Sequence, residues 1–112
     1  MLLDAPIQEI INVKNYIDGR WVESAGDVIN NINPATQRTI ARAPLSDKND
    51  VDNAVKAAKE AFPGWRATPP VARARYLFRL KNLLEENFEE LSRVQTQEHG
   101  KTIDESRGET RR

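Results

Sequence analysis

Cysteine is absent from the 112 residues. Within this stretch that excludes a disulfide framework, a thiolate nucleophile and any thiolate-ligated metal. Histidine occurs once, as His99, too few for a multi-histidine metal site. An excess charge of either sign is missing too: Lys plus Arg and Asp plus Glu each number 17, for a formal net charge of zero. Nothing electrostatic therefore favours nucleic acid or an anionic membrane as a partner. No run approaches the ~18 apolar residues of a membrane span. The opening MLLDAPIQEI carries Asp4 and Glu9 and lacks both a basic n-region and the Arg- and Ser-rich character of a transit peptide. The default expectation is a cytoplasmic protein.

Hydrophobic residues make up 38% and charged residues 30%. The chain can bury a modest core but is leaner in apolar residues than an ordinary domain. In VKNYIDGRWVES, Asp18-Gly19 separates two β-prone runs, Val13 to Ile17 and Arg20 to Glu23. Asp-Gly supplies the positive φ angles of a type I′ turn, which predicts a hairpin. DVINNIN, a turn at Pro34-Ala35-Thr36, and RTIARAPL ending at Pro44 predict a second pair, for three or four short strands in all.

Further on, Val51, Ala54, Val55, Ala58 and Phe62 fall on one face of a helix. Asp47 is its N-cap, Asp50 sits at N3, and Pro63-Gly64 should end it. Thr68 reads as the cap of a second helix with proline in its first turn. Its apolar stripe runs through Leu77, Leu80, Leu84, Phe88, Leu91 and then Val94 or Gln95, with Glu89 and Arg93 as an i, i+4 ion pair on the outside. Gly100 should close this helix, after which KTIDESRGETRR can start another. The expected class is α+β: antiparallel strands, then two to three helices, in one unit divided into a tail (1–12), strands (13–45) and helices (46–112).

The second helix carries a geometric consequence. From Pro69 to His99 it would be about 46 Å long at ~1.5 Å per residue, whereas a globule of this length has a radius of gyration of about 13 Å and a diameter near ~34 Å. An apolar rod longer than the body behind it should lie against protein outside this chain.

Chemistry-bearing motifs are few. No G-x-G-x-x-G, Walker A loop, G-x-S-x-G elbow, H-E-x-x-H or EF-hand loop occurs. His99, next to Gly100 and Lys101, reads as a cation at a helix end rather than a base beside a phosphate-binding lysine. Glu85, Glu86, Glu89 and Glu90 read as a solvated face rather than paired catalytic carboxylates. Arg73, Arg75, Arg79 and Lys81 do not share a helix face and so make no binding stripe. Trp21 and Trp65, beside turns, should serve packing.

The order of segments adds what composition does not. YIDGRWVES, NPAT with its following strand, DVDNAVKAAKEAFPGW, RARYLFRLKNLLEEN and QEHGKT, spanning about Val13 to Arg112, resemble the N-terminal part of the aldehyde dehydrogenase superfamily. Within it, GKTIDESRGETRR is similar to the methylmalonate-semialdehyde dehydrogenase branch, which has a G-[ED]-x-x-R pattern at this position. The resemblance implies the front part of a Rossmann-like α/β NAD-binding domain in a much longer enzyme, with the nucleophilic cysteine and the catalytic glutamate downstream. It implies aldehyde oxidation through a thiohemiacetal, hydride transfer to NAD and a thioester. In that branch coenzyme A resolves the thioester with loss of carbon dioxide, giving propionyl-CoA. No catalytic or cofactor-binding residue falls in this stretch. One residue carries over: Arg112, in Gly108-Glu109-Thr110-Arg111-Arg112, corresponds to the arginine that grips the substrate carboxylate. The implied partners are the remainder of the enzyme and further copies of it in a homo-oligomer, with neither nucleic acid nor membrane. Two rival expectations are a stand-alone helical interaction module and a semialdehyde dehydrogenase that does not use coenzyme A.

Overall fold

In the computed structural model, which describes residues 9–112, the chain forms five short strands and then four helices. These are β1 (Ile11–Asn12), β2 (Asn15–Ile17), β3 (Arg20–Val22), β4 (Val28–Ile32), β5 (Thr39–Pro44), α1 (Lys48–Ala67), α2 (Pro70–Glu86), α3 (Phe88–His99) and α4 (Ile103–Arg111). The expected tail, 1–12, lies outside the described residues for its first eight positions. Its end is strand, with β1 pairing parallel to β5 through Ile11 opposite Ala41 and Asn12 opposite Arg42.

The Asp-Gly hairpin is borne out. Asp18 and Gly19 take φ of 51° and 72°, and β2 and β3 pair antiparallel with Tyr16 opposite Trp21. Their rings lie 4.9 Å apart in a tilted contact, a favourable aromatic arrangement. The β4–β5 pair is antiparallel as expected, but its connection is wider than Pro34-Ala35-Thr36. Asn33 accepts from Ala35 N–H at 2.9 Å through Oδ1 and from Gln37 N–H at 2.8 Å through its carbonyl. Gln37 closes the turn at φ 60°. The strands divide into a three-stranded sheet, ordered β1-β5-β4, and a separate β2–β3 ribbon.

α1 begins as the sequence predicts, with a complete capping box between Asp47 and Asp50. It does not stop at Pro63-Gly64. The helix continues to Ala67, where Thr68 donates both its N–H (3.1 Å) and its hydroxyl (2.9 Å) to the Gly64 carbonyl. Thr68 therefore finishes α1 instead of starting α2, whose N-cap is Pro69 without a side-chain bond. Trp65 meets Tyr76 at 5.7 Å between centroids, holding the last turn of α1 against α2.

The single rod from Pro69 to His99 is also corrected, because it is two helices. Asn87, at φ −106° and ψ 18°, separates α2 from α3, and its side-chain amide donates to the Leu83 carbonyl at 2.8 Å. An amide side chain competing for a ladder carbonyl is a familiar way to interrupt a helix. The break does not enclose the apolar stripe: Leu77 and Phe78 are 67% and 68% exposed, and Leu80, Leu83, Leu84, Leu91 and Val94 are exposed too. On α1, Val51, Val55 and Phe62 share that condition. Neither α1 nor α2 has a buried residue, and the only buried hydrophobic residues among those described are Ile40 and Ala41 on β5. The radius of gyration is 17.4 Å, with extents of 49 × 34 × 19 Å, well above the ~13 Å of a compact chain this long.

α1 and α2 are sustained by local terms. Alanine-rich composition helps α1. Lys48–Asp52 (2.5 Å) and Lys56–Glu60 (3.9 Å) add i, i+4 pairs on α1, and Lys81–Glu85 (2.8 Å) adds one on α2. The β2–β3 ribbon lies beside α1: Asn15 Nδ2 donates to Ser46 Oγ (2.8 Å), just ahead of the helix, and residues 16–19 line a cleft with Ala54, Ala57, Ala58 and Ala61.

Candidate functional site

The buried seam between α3 and α4 is filled by small hydroxyl side chains instead of large apolar ones. Ser92 and Ser106 are fully buried and Thr96 is 6% exposed, so the most enclosed side chains of this region are small and polar. Thr96 Oγ1 and Ser106 Oγ share a hydrogen bond of 2.8 Å. Ser92 Oγ lies 2.8 Å from the Phe88 carbonyl and 3.2 Å from Thr110 Oγ1, and Thr110 donates to the Ser106 carbonyl at 2.9 Å. Ser92 and Thr96 are one turn apart on α3, as are Ser106 and Thr110 on α4. Small side chains at i, i+4 let two helices approach closely along that seam.

Charged contacts frame the seam. Arg107 grips Glu89 bidentately (Nε–Oε1 2.9 Å, Nη2–Oε2 3.0 Å) and reaches Asp104 at 3.1 Å. That hydrogen bond to Arg107 holds the Glu89 carboxyl below the usual glutamate range, and the same contact raises the Arg107 guanidinium further. Glu109 pairs with Lys101 at 2.5 Å and receives Gln95 Nε2. The Lys101 contact is the leading cause of its lowered pKa. At the start of α4, Thr102 and Glu105 form a capping box, and the Thr102 backbone N–H keeps Glu105 ionised below the ordinary range.

This arrangement settles several sequence readings. The Glu89–Arg93 ion pair is not formed, because Glu89 is committed to Arg107 on the next helix. His99 is exposed in the last turn of α3, and Lys101 pairs with Glu109. Gly100 closes α3 at φ 88° as expected. Trp21 is largely exposed on its ribbon and Trp65 about half exposed. Among the described residues no cluster of three metal-ligating side chains occurs, and no helix is long and apolar enough to cross a membrane.

Arg112 stands at the C-cap of α4, where its backbone N–H donates to the Glu109 carbonyl at 3.1 Å. Its side chain is exposed and joins none of the neighbouring ion pairs. Arg111, by contrast, lies over the Phe88 ring, 5.3 Å from its centroid. Neither composition nor any sequence motif marks the hydroxyl seam or the Arg107–Glu89 grip. The available signal is a matched small-hydroxyl pair one turn apart on each of two consecutive helices.

The described residues do not fit a nicotinamide dinucleotide by themselves. Helix N-termini that hold a pyrophosphate offer free N–H groups, whereas α1 and α4 already commit their N-cap and N3 N–H groups to their own capping boxes. α2 opens on Pro69-Pro70, and α3 carries Glu89 and Glu90 in its first turn.

The chain belongs to the aldehyde dehydrogenase family, whose model matches residues 21–112. It is 48% identical over 105 residues to a malonate-semialdehyde dehydrogenase of Bacillus cytotoxicus, an alignment covering 93% of this chain and 22% of that relative. A crystal structure from Sinorhizobium meliloti 1021, complexed with NAD and assigned to methylmalonate-semialdehyde dehydrogenase, superposes with a TM-score of 0.84 at 38% identity. The match covers 90% of this chain and 21% of that one. Lactaldehyde dehydrogenase from Escherichia coli gives 0.87 at 33% identity, covering 92% and 22%. The chain thus spans about a fifth of the length of the relatives it matches. The α+β arrangement of short strands followed by helices is that of the N-terminal part of these aldehyde dehydrogenase structures.

Proposed function

We propose that these residues form the N-terminal portion of the NAD-binding domain of an NAD-dependent aldehyde oxidoreductase acting on a semialdehyde that bears a carboxylate. Methylmalonate semialdehyde is our preferred substrate, with coenzyme A as acyl acceptor and propionyl-CoA and carbon dioxide as products. The observation that carries this reading is the 48% identity to a malonate-semialdehyde dehydrogenase across 93% of the chain. The exposed apolar faces of α1 and α2 support it, since a longer enzyme supplies protein to cover them. In that enzyme this region is non-catalytic: it has no cysteine, and both NAD and coenzyme A are held by other parts of the chain. We place the enzyme in the cytoplasm as a homo-oligomer.

The contribution of this region to chemistry is Arg112. A guanidinium can take both oxygens of a carboxylate in a planar fork, and Arg112 offers an exposed guanidinium outside the surrounding ion pairs. Gripping the acid end of the semialdehyde there leaves the aldehyde end free for the nucleophile.

The test is NADH production by the full-length enzyme with methylmalonate semialdehyde, malonate semialdehyde and an uncharged aldehyde, each with and without coenzyme A. Acid-bearing substrates with strict coenzyme A dependence are expected. Turnover with water alone as acyl acceptor points to a semialdehyde dehydrogenase without coenzyme A, and no NADH from any aldehyde rejects the proposal.

A further inference from the structure

We infer that Ser92, Thr96, Ser106 and Thr110 are positioning residues for Arg112, a hydroxyl ladder that fixes the rotation and register of α4 on α3. The inference rests on the substrate-binding reading of Arg112 given above. α4 spans Ile103–Arg111, packed beside α3. It buries no large apolar side chain; its one buried residue is Ser106. What seats it is directional contact: the Thr96–Ser106 bond at 2.8 Å and the Ser92–Thr110 contact at 3.2 Å, one turn further along.

An apolar seam tolerates sliding and rotation at small cost, whereas hydrogen bonds weaken steeply once distance or angle departs from the optimum. Two rungs one turn apart therefore define an axis as well as a point. Arg107 on Glu89 and Glu109 on Lys101 brace the same helix from its flanks. Thr110, the last rung, stands two residues before Arg112, about 3 Å along the axis. Among the described residues the Arg112 side chain joins no ion pair, so its direction follows the helix that carries it. Bidentate recognition of a carboxylate is angular, and small misplacements of a binding group are costly.

The experiment uses the full-length enzyme carrying Thr110→Val, which keeps the side-chain shape and removes the rung to Ser92 together with the hydroxyl's own bond to the Ser106 carbonyl. Ser92→Ala is a second variant with the least change in volume. Each should raise KM for the carboxylate-bearing semialdehyde by roughly 3- to 10-fold, the worth of a single hydrogen bond. kcat, and KM for an uncharged aldehyde of similar size, should stay at wild-type values. Thr110→Ser, which restores the hydroxyl, should recover the wild-type KM. An equal change for both aldehydes, or no change in either variant, overturns the inference. Arg112→Gln runs in parallel. If it does not separate acid from uncharged aldehyde, the substrate-binding reading and the ladder fall together. If it does while Thr110→Val and Ser92→Ala do not, the ladder alone fails.

Discussion

Replacing Gly100 by alanine tests how firmly the sheet and the α3–α4 hairpin are joined. Gly100 ends α3 at φ 88° and ψ 6°, with its N–H on the Thr96 carbonyl at 2.8 Å. An L-residue in that conformation costs about 1 kcal/mol relative to glycine. A Cβ there would also stand 2.7 Å from Pro34 Cγ. Pro34 has little room to retreat. Its turn is fastened by Asn33 Oδ1 on Ala35 N–H (2.9 Å) and by Gln37 Nε2 on the Pro34 carbonyl (2.8 Å). Overpacking of this kind adds about 1–3 kcal/mol, so Gly100→Ala should cost about 2–4 kcal/mol. Gly19→Ala is the internal control, with φ 72° but nothing within 4 Å of the added carbon, and should cost only the ~1 kcal/mol of backbone strain. The assay is amide hydrogen exchange at residues 96–102 together with thermal unfolding of the full-length enzyme. Equal losses for Gly100→Ala and Gly19→Ala would refute the idea that Pro34 forms a rigid wall against the helix junction.

Other expectations follow from the same contacts. Gly108→Ala, in α4 with open space around it, should stabilise by about 0.5–1 kcal/mol in the same melts. Asp47→Ala removes the α1 capping box and should cost about 1 kcal/mol, read from exchange in the first turn of α1. Leu80→Ala distinguishes a covered from a free α2 face: about 2–5 kcal/mol is expected if protein beyond these residues covers it, and less than about 0.5 kcal/mol if it stays in water. Glu89, Glu105 and Glu109 all have lowered pKa values, so unfolding raises them. Their stabilisation is therefore fully present above the ordinary glutamate pKa of about 4.3. It is lost as pH falls through the lowered folded values. Amide exchange in α4 should accelerate in that acid window, and Glu105→Gln should flatten the response. An unchanged profile in Glu105→Gln would remove Glu105 from the account.

Legibility followed the range of the interaction. The Asp18-Gly19 turn, the Asp47–Asp50 cap and the Gly100 stop were all readable, because each is decided within four residues by backbone sterics or one local hydrogen bond. The readings that failed turned on competition. Pro63-Gly64 looked like a stop, yet Thr68 one turn later supplied the cap. Glu89 had Arg93 in reach on its own helix, yet the fork of Arg107 from α4 took it. Asn87 lay inside an unbroken apolar stripe, and periodicity alone does not register that its side chain will take the Leu83 carbonyl.

By itself the sequence determined where helices start and turns fall, and its segment order carried the family resemblance, because those depend on residue identity and spacing. Only the tertiary structure decided that the long stripe is two helices with its apolar side still open, and that α4 is seated by hydroxyl groups. Both outcomes depend on which of several equally near partners a side chain meets once the elements have packed, and no local pattern records that choice.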